Sequence, residues 1–158
     1  MPDLVDGLII TADDFPPAVS DADDVGIFNF SNTDYQPGPT EVGVVFTAPT
    51  SGRVRLTIGG GLRDSGTTDR VFLSPQLFEG TDATGVEVFA PSVTFRGFGS
   101  SAANREMQYS SRTSLVEGLT PGSTYYVRCM HTAVPPGSGT PDGQTDIGSR
   151  EIVVVPVP

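Results

Sequence analysis

The chain has 158 residues, the length of one domain, and its composition favours β-structure. Valine outnumbers leucine 18 to 8, and β-branched residues fit a pleated sheet better than a helix. Nineteen acidic residues face nine Arg and no Lys, which gives a net charge of −10. This charge disfavours nucleic acid and anionic membrane partners, because phosphate contacts need cationic side chains. No apolar run reaches the ~18 residues of a membrane-spanning helix.

The first 40 residues form an acidic segment with two apolar runs. They hold eight Asp and no basic residue, and the prolines around Pro16 and Pro37 break regular structure. Burial of an apolar side chain returns roughly 1.5–3 kcal/mol, so the two runs predict a partner-binding arm over residues 1–40. We expect this arm to lie extended across a neighbouring subunit or an underlying shell, away from its own domain. Its partner-binding residues are Leu8, Ile9, Ile10, Ile27, Phe28 and Phe30.

From residue 41 onward, short runs of alternating apolar and polar residues are separated by turn residues. In the second run Val54, Leu56 and Ile58 share one face. Many short strands at regular spacing predict an antiparallel sandwich or barrel, and hence an all-β fold. Phe72 and Phe78 lie opposite the apolar face of the third run, which predicts that they contact another subunit. The eight candidate strands span residues 42–46, 54–58, 71–78, 86–89, 93–98, 107–116, 125–134 and 152–157.

The chain holds a single Cys, Cys129, and a single His, His131, and alternation places both on one face of the run 125–134. A Cys/His dyad requires the imidazole within ~3 Å of the thiol in a cleft. The apolar neighbours on this face favour a partly buried structural histidine instead. One Cys and one His do not supply a zinc ligand set. We therefore predict no catalytic residue, no metal ligand and no cofactor, and we do not expect an enzyme.

Two further patterns resemble ligand sites without completing them. The run 21–26 begins like an EF-hand loop, but Val25 takes the fifth position and Asn32, not Glu, the twelfth. A solvated acidic segment is favoured there, and Ca²⁺ binding outside the motif stays open. The three glycines at 59–61 follow a strand but lack the phosphate-binding motifs, which predicts a loop at the end of a hairpin.

The stretch 119–128, Leu-Thr-Pro-Gly-Ser-Thr-Tyr-Tyr-Val-Arg, resembles a turn and the following strand of fibronectin type III domains. In that family the Tyr forms a tyrosine corner, with its hydroxyl bonded to nearby backbone. The resemblance implies that Pro121 and Gly122 make the turn, that Leu119 fills the core and that Tyr125 begins the strand. It covers residues 113–155, and the Trp found in an early strand of that fold is missing.

Residues 41–158 as a whole resemble the single jelly-roll domains of virion proteins in tailed bacteriophages with GC-rich bacterial hosts. The resemblance implies an antiparallel, eight-stranded, jelly-roll-like sandwich that follows the arm and assembles as a homotrimer. It implies capsid decoration or tail-fibre building, without catalysis. The residues that carry it are the run 46–54 (Phe-Thr-Ala-Pro-Thr-Ser-Gly-Arg-Val), residues 59–62, the turn 119–125 and the closing run 150–156 (Arg-Glu-Ile-Val-Val-Val-Pro).

We therefore expect a non-enzymatic structural protein of a virion, namely a capsid decoration protein that binds the outer shell through its N-terminal arm. Its expected partners are copies of itself and the major capsid protein or another virion protein. Two alternatives stay open: a tail or fibre component, and a β-sandwich module that binds host polysaccharide. Residues 1–3 lack the basic and apolar regions of a signal peptide, which predicts synthesis in the host cytoplasm and assembly onto the virion surface.

Overall fold

The computed structural model describes residues 15–66, 69–100, 105–134 and 139–158. Within these ranges the chain forms ten strands and no helix, so the prediction of an all-β fold is confirmed. No helix in these ranges is long and apolar enough to cross a membrane. The strands are β1 (Val19–Asp23), β2 (Ile27–Phe30), β3 (Gly43–Thr47), β4 (Val54–Asp64), β5 (Arg70–Glu79), β6 (Glu87–Phe89), β7 (Phe98–Gly99), β8 (Gln108–Val116), β9 (Thr124–Val134) and β10 (Thr145–Pro156).

The strands form two five-stranded antiparallel sheets packed face to face, so the predicted sandwich is confirmed. The first sheet has the order β1-β10-β4-β8, with β2 also paired to β10. The second sheet has the order β3-β9-β5-β6, with β7 also paired to β5. Strands β3, β4 and β5 alternate between the sheets, and so do β8, β9 and β10. Each of these connections therefore crosses from one sheet to the other.

Alternate residues of both sheets meet between them and form the core. On β4, Val54, Leu56 and Ile58 are buried, as their alternation predicts. Val127 and Cys129 of β9 belong to the same apolar cluster and come from the opposite sheet. Successive side chains of a strand point to opposite faces, so this single periodicity decides which residues fill the core.

Strands β1 and β2 belong to the sandwich. Val19 pairs with Val154 of β10 and Asp23 pairs with Arg150, while Ile27 pairs with Ile147. This pairing corrects the expectation that the arm lies away from its own domain, because residues 19–30 extend the first sheet of their own chain. The final strand offers these segments backbone hydrogen bonds and an apolar face.

Two local expectations are also corrected. The glycines at 59–61 lie inside β4 and not in a hairpin loop. A Cβ at Gly60 would lie 2.6 Å from the Cδ1 of Leu73 in the other sheet, so glycine here permits close approach of the sheets. The expected strand 93–98 is reduced to the short strand β7, because Arg96 adopts a φ of 61°. This left-handed conformation interrupts extended backbone.

Candidate functional site

A buried ion pair joins the N-terminal strands to the rest of the sandwich. Arg150 of β10 is only 1% exposed, and its Nη2 lies 2.5 Å from Oδ2 of Asp23. The guanidinium also donates to the carbonyls of Pro37, at 2.7 Å, and Thr40, at 2.9 Å. A buried charge costs several kcal/mol unless it is paired and hydrogen-bonded. Arg150 therefore fixes β1 and the segment before β3 against β10.

Cys129 and His131 lie on the core side of β9, close to this ion pair. Burial raises the pKa of the Cys129 thiol to about 12. His131 is 3% exposed, and burial, reinforced by the nearby charge of Arg150, lowers its pKa to about 4. Its ring packs edge-on against Phe30, with centroids 4.9 Å apart. At pH 7 the thiol is therefore protonated and the imidazole neutral, and both fill the core.

The acidic run that resembles the start of an EF-hand loop forms strand β1 and the turn after it. Oδ2 of Asp21 accepts the backbone N–H of Gly43 at 3.0 Å. The backbone N–H of Val25 and the Arg150 guanidinium lower the pKa of Asp23, against the raising effect of burial. Over the described ranges, no group of three or more His, Cys, Asp or Glu side chains could hold a metal ion. The carboxylates at 21 and 23 serve contacts within the chain.

The partner-binding residues predicted for the arm differ in their burial. Ile27 and Phe30 are partly buried and pack against the core cluster, whereas Phe28 points away from the core and is 57% exposed. The hydroxyl of Thr145 donates to the carbonyl of Phe30, which fixes this end of β2 on β10. Leu8, Ile9 and Ile10 lie outside the described residues.

The four corner residues come together where β9 begins. Leu119 is 4% exposed and Tyr125 is 3% exposed. The Tyr125 hydroxyl accepts the backbone N–H of Thr120 at 2.9 Å, the contact expected of a tyrosine corner. Gly122 follows Pro121 with a φ of 75°, a conformation that glycine adopts without strain. The corner thus anchors the turn to the core.

The outer face of the second sheet is covered by the chain itself around Phe72 and Phe78. Phe72 and Phe78 are 6% and 5% exposed. Arg70 lies over the ring of Phe72, 4.7 Å from its centroid, and a Cβ at Gly99 would meet the same ring at 2.6 Å. The prediction that these two aromatic residues contact another subunit is therefore corrected, because segments of the same chain already bury them.

The outer face of the first sheet is uncovered and carries mostly small side chains. One row across it contains Ser20, Val153, Thr57 and Thr113, with the hydroxyls of Thr57 and Thr113 2.8 Å apart. We call this surface the open face. Its residues are Ser20, Ala22, Arg55, Thr57, Gly59, Gly61, Tyr109, Ser111, Thr113, Leu115, Glu151, Val153 and Val155.

A cleft of about 360 Å³ lies at one end of the open face. We call it the glycine cleft, because the side chains of Tyr109 and Glu151 lie over Gly61 and Gly59 of β4. Tyr109 is 70% exposed. Clefts that bind small ligands have volumes of roughly 300–1,000 Å³, so this cleft falls at the lower end of that range. Its lining includes Asp24, Gly60, Tyr109, Ser111, Ser149 and Glu151.

Strand β8 forms one edge of the first sheet. It pairs with β4 along nine residues from Gln108 to Val116, and within the described part of the chain no strand pairs with its other edge. Most of its residues are exposed on both faces. An unpaired edge presents free backbone donors and acceptors, so β8 is a surface on which another chain can add a strand.

Sequence reasoning missed Arg150 and Tyr109. A signal for Arg150 was present, because it shares the alternation of the buried residues Ile152 and Val154 and so occupies a core position. Tyr109 carries no such signal. Its position over Gly61 depends on which strands are neighbours, and this information is not local in the sequence.

The chain matches no model of a known protein family. No curated protein matches it either.

Proposed function

We propose that this chain is a non-enzymatic structural protein of a virion surface, a capsid decoration protein built on a jelly-roll-like sandwich. The observation that carries the proposal is the division of its surface. The side chains that could take part in a reaction, Cys129, His131 and Arg150, are buried in the core. The open face and the edge strand β8 remain available for contacts with other proteins. The crossing of successive connections between the sheets supports the jelly-roll-like topology.

Assembly would use the surfaces that the chain leaves uncovered. An open edge of nine residues invites strand addition unless a partner covers it, and closed cyclic symmetry is the usual arrangement for such contacts. We propose a homotrimer, with the major capsid protein or another virion protein beneath it. The anchoring segment would be the part of the chain before β1, which contains Leu8, Ile9 and Ile10.

Immunogold labelling tests the location. Particles purified from the native source are labelled with an antibody against this chain and viewed by electron microscopy. Gold on the capsid is the expected result. Gold on the tail would contradict capsid decoration and support the alternative of a tail or fibre component. Particles without gold would contradict a virion role.

Two further measurements test assembly and anchoring. Light scattering at micromolar concentration is expected to report three times the chain mass of 16.6 kDa, and a monomer would contradict the trimer. Deletion of residues 1–14 should abolish binding to particles stripped of this protein. Deletion of residues 1–7 is the matched control, because it retains the apolar run 8–10. If both deletions bind the particles equally well, the run 8–10 is not the anchor.

The second candidate function is the binding of host polysaccharide. One observation favours it, namely the exposed ring of Tyr109 in the glycine cleft. Aromatic rings provide apolar contact area at low cost in conformational entropy. A virion-surface protein could carry both functions, since the cleft occupies only one end of the open face.

A further inference from the structure

The ring of Tyr109 lies across the first sheet. A Cβ at Gly61 would lie 2.7 Å from its Cε1 and 2.9 Å from its Cζ, and a Cβ at Gly148 would lie 3.1 Å from its hydroxyl oxygen. The ring therefore starts on β8, covers β4 and reaches β10. The edge of the ring that carries Cε1 and Cζ lies over Gly61, and with 70% of the residue exposed most of the ring is open to solvent.

A side chain whose role is only to cover glycine is expected to lose most of its exposure. Tyr109 instead keeps a large aromatic surface in water at the wall of a cleft. An aromatic ring at the wall of a concave site with polar groups around it is a candidate contact surface for a ligand. The neighbouring polar groups indicate what the surface binds.

Glu151 lies over Gly59, two residues along β4 from Gly61. The Cγ and Cδ of Glu151 would lie 2.9 Å and 3.0 Å from a Cβ at Gly59. Two residues of a strand span about 6.6 Å, so the Glu151 carboxylate lies beside the Tyr109 ring, within reach of the hydroxyls of a sugar that stacks on the exposed part of that ring. Carboxylate oxygens accept hydrogen bonds from hydroxyls. Ser111, which pairs with Gly59, adds a hydroxyl at the same level.

The charge of the cleft selects the class of ligand. Glu151 and Asp24 both line it, and the chain carries a net charge of −10. Arg150 contributes to the lining, but its side chain is fully buried and pairs with Asp23. An anionic ligand would therefore meet repulsion, whereas a neutral ligand with one apolar face and a rim of hydroxyls fits.

We propose that the glycine cleft binds a pyranose unit of a neutral polysaccharide. The apolar face of the sugar stacks on Tyr109, and its hydroxyls donate to Glu151 and Asp24. Further sugar units would continue along the Ser and Thr rows of the open face. This inference rests on the second candidate function, polysaccharide binding, and does not depend on the location of the protein on a virion.

The test is titration of the full chain with defined oligosaccharides, followed by amide NMR. The neutral probes are hexasaccharides of α1,4-glucose, β1,4-glucose, β1,4-mannose and β1,4-galactose, and the anionic comparator is a hyaluronan hexasaccharide. We expect saturable shifts with at least one neutral probe at up to about 10 mM, enough to detect a Kd near 1 mM. The shifts should centre on the backbone amides of residues 59–61, 109–111 and 149–151. The anionic comparator should bind more weakly.

Matched variants separate the site from the fold. Tyr109→Ala should weaken binding about tenfold, whereas Tyr109→Phe, which keeps the stacking face, should stay within about threefold. Phe95→Ala is the control, because Phe95 is also exposed, at 58%, but does not line the cleft. The thermal unfolding midpoint of each variant reports whether the fold is intact.

Three results would overturn the inference. If no neutral probe gives saturable shifts, both the proposed site and polysaccharide binding are contradicted. Glycan binding that Tyr109→Ala leaves unchanged would retain polysaccharide binding and reject this site. Tighter binding of the anionic comparator would reject the proposed class of ligand.

Discussion

The free energy of unfolding should fall by about 2 kcal/mol between pH 7 and pH 5 because of His131 alone. This residue is 3% exposed, and its pKa falls from 6.5 to about 4 in the folded chain. Burial is the main cause, and the positive charge of Arg150 is the second. Both disfavour the imidazolium in the folded protein, while the unfolded chain binds a proton freely.

The sign follows from the two pKa values. Because the folded pKa of His131 is the lower one, the unfolded chain takes up a proton first as the pH falls below 6.5. The stability that the neutral imidazole contributes is therefore lost progressively, and the loss is complete when the pH has fallen to about 4. At about 1.4 kcal/mol per pH unit, the 1.5 units between pH 6.5 and pH 5 correspond to about 2 kcal/mol. Asp69, whose pKa burial raises, contributes with the opposite sign, since protonation favours its folded form. A control variant is therefore needed.

Urea unfolding of the native chain and of His131→Gln at several values between pH 7 and pH 5 separates these contributions. The variant keeps Asp69 and every other titrating group, so the difference in pH dependence between the two proteins belongs to His131, the only histidine of the chain. We expect the native chain to lose about 2 kcal/mol more than the variant over this interval. Parallel pH profiles would refute the burial of a neutral imidazole beside Arg150.

Two further predictions concern the corner and the thiol. Leu119→Ala should lower the free energy of unfolding by roughly 2–5 kcal/mol, because Leu119 is core. Tyr125→Phe should cost about 1 kcal/mol for the lost hydrogen bond to Thr120, and up to ~3 kcal/mol if the N–H stays unsatisfied. A cost of Leu119→Ala below about 1 kcal/mol in urea unfolding would contradict its place in the core. Cys129 should not react with a thiol reagent in the folded chain, since burial raises its pKa to about 12, and a native rate that matches the rate in denaturant would show that the thiol is accessible.

The alternation of apolar and polar residues predicted those features of the fold that neighbouring residues of a single strand determine. The core positions of β4 are an example, because Val54, Leu56 and Ile58 need only a period of two to become buried. The turn before β9 is another, since Pro121 and Gly122 carry the turn preference in their own backbones. In both cases neighbouring residues contain the whole signal.

The parts that the sequence did not predict depend on distant contacts. The sequence neighbours of Asp23 predict a solvated carboxylate, yet its partner Arg150 lies 127 positions further along the chain. Alternation alone predicts that Phe72 and Phe78 are exposed, but Arg70 and Gly99 cover Phe72, and Arg128 lies over Phe78. The glycine cleft likewise requires β8, β4 and β10 to be neighbours, which the order of the strands along the chain does not reveal.

The pairing of β1 with β10 leads to a last prediction about truncation. Deletion of residues 1–14 leaves every contact among the described residues in place and should change the free energy of unfolding by less than about 0.5 kcal/mol. Deletion of residues 1–34 also removes β1 and β2, and it leaves the guanidinium of Arg150 in the core without Asp23. Loss of one partner of a buried ion pair costs about 3–5 kcal/mol.

The longer deletion should therefore unfold at a much lower urea concentration. Arg150→Met in that truncated chain should recover part of the loss, because an apolar side chain of similar length needs no partner in the core. The same substitution in the full chain should destabilise it, since it leaves Asp23 without its cation. If the chain lacking residues 1–34 unfolds at the same urea concentration as the full chain, β1 and β2 do not contribute to the sandwich, and residues 1–40 act as a separate arm.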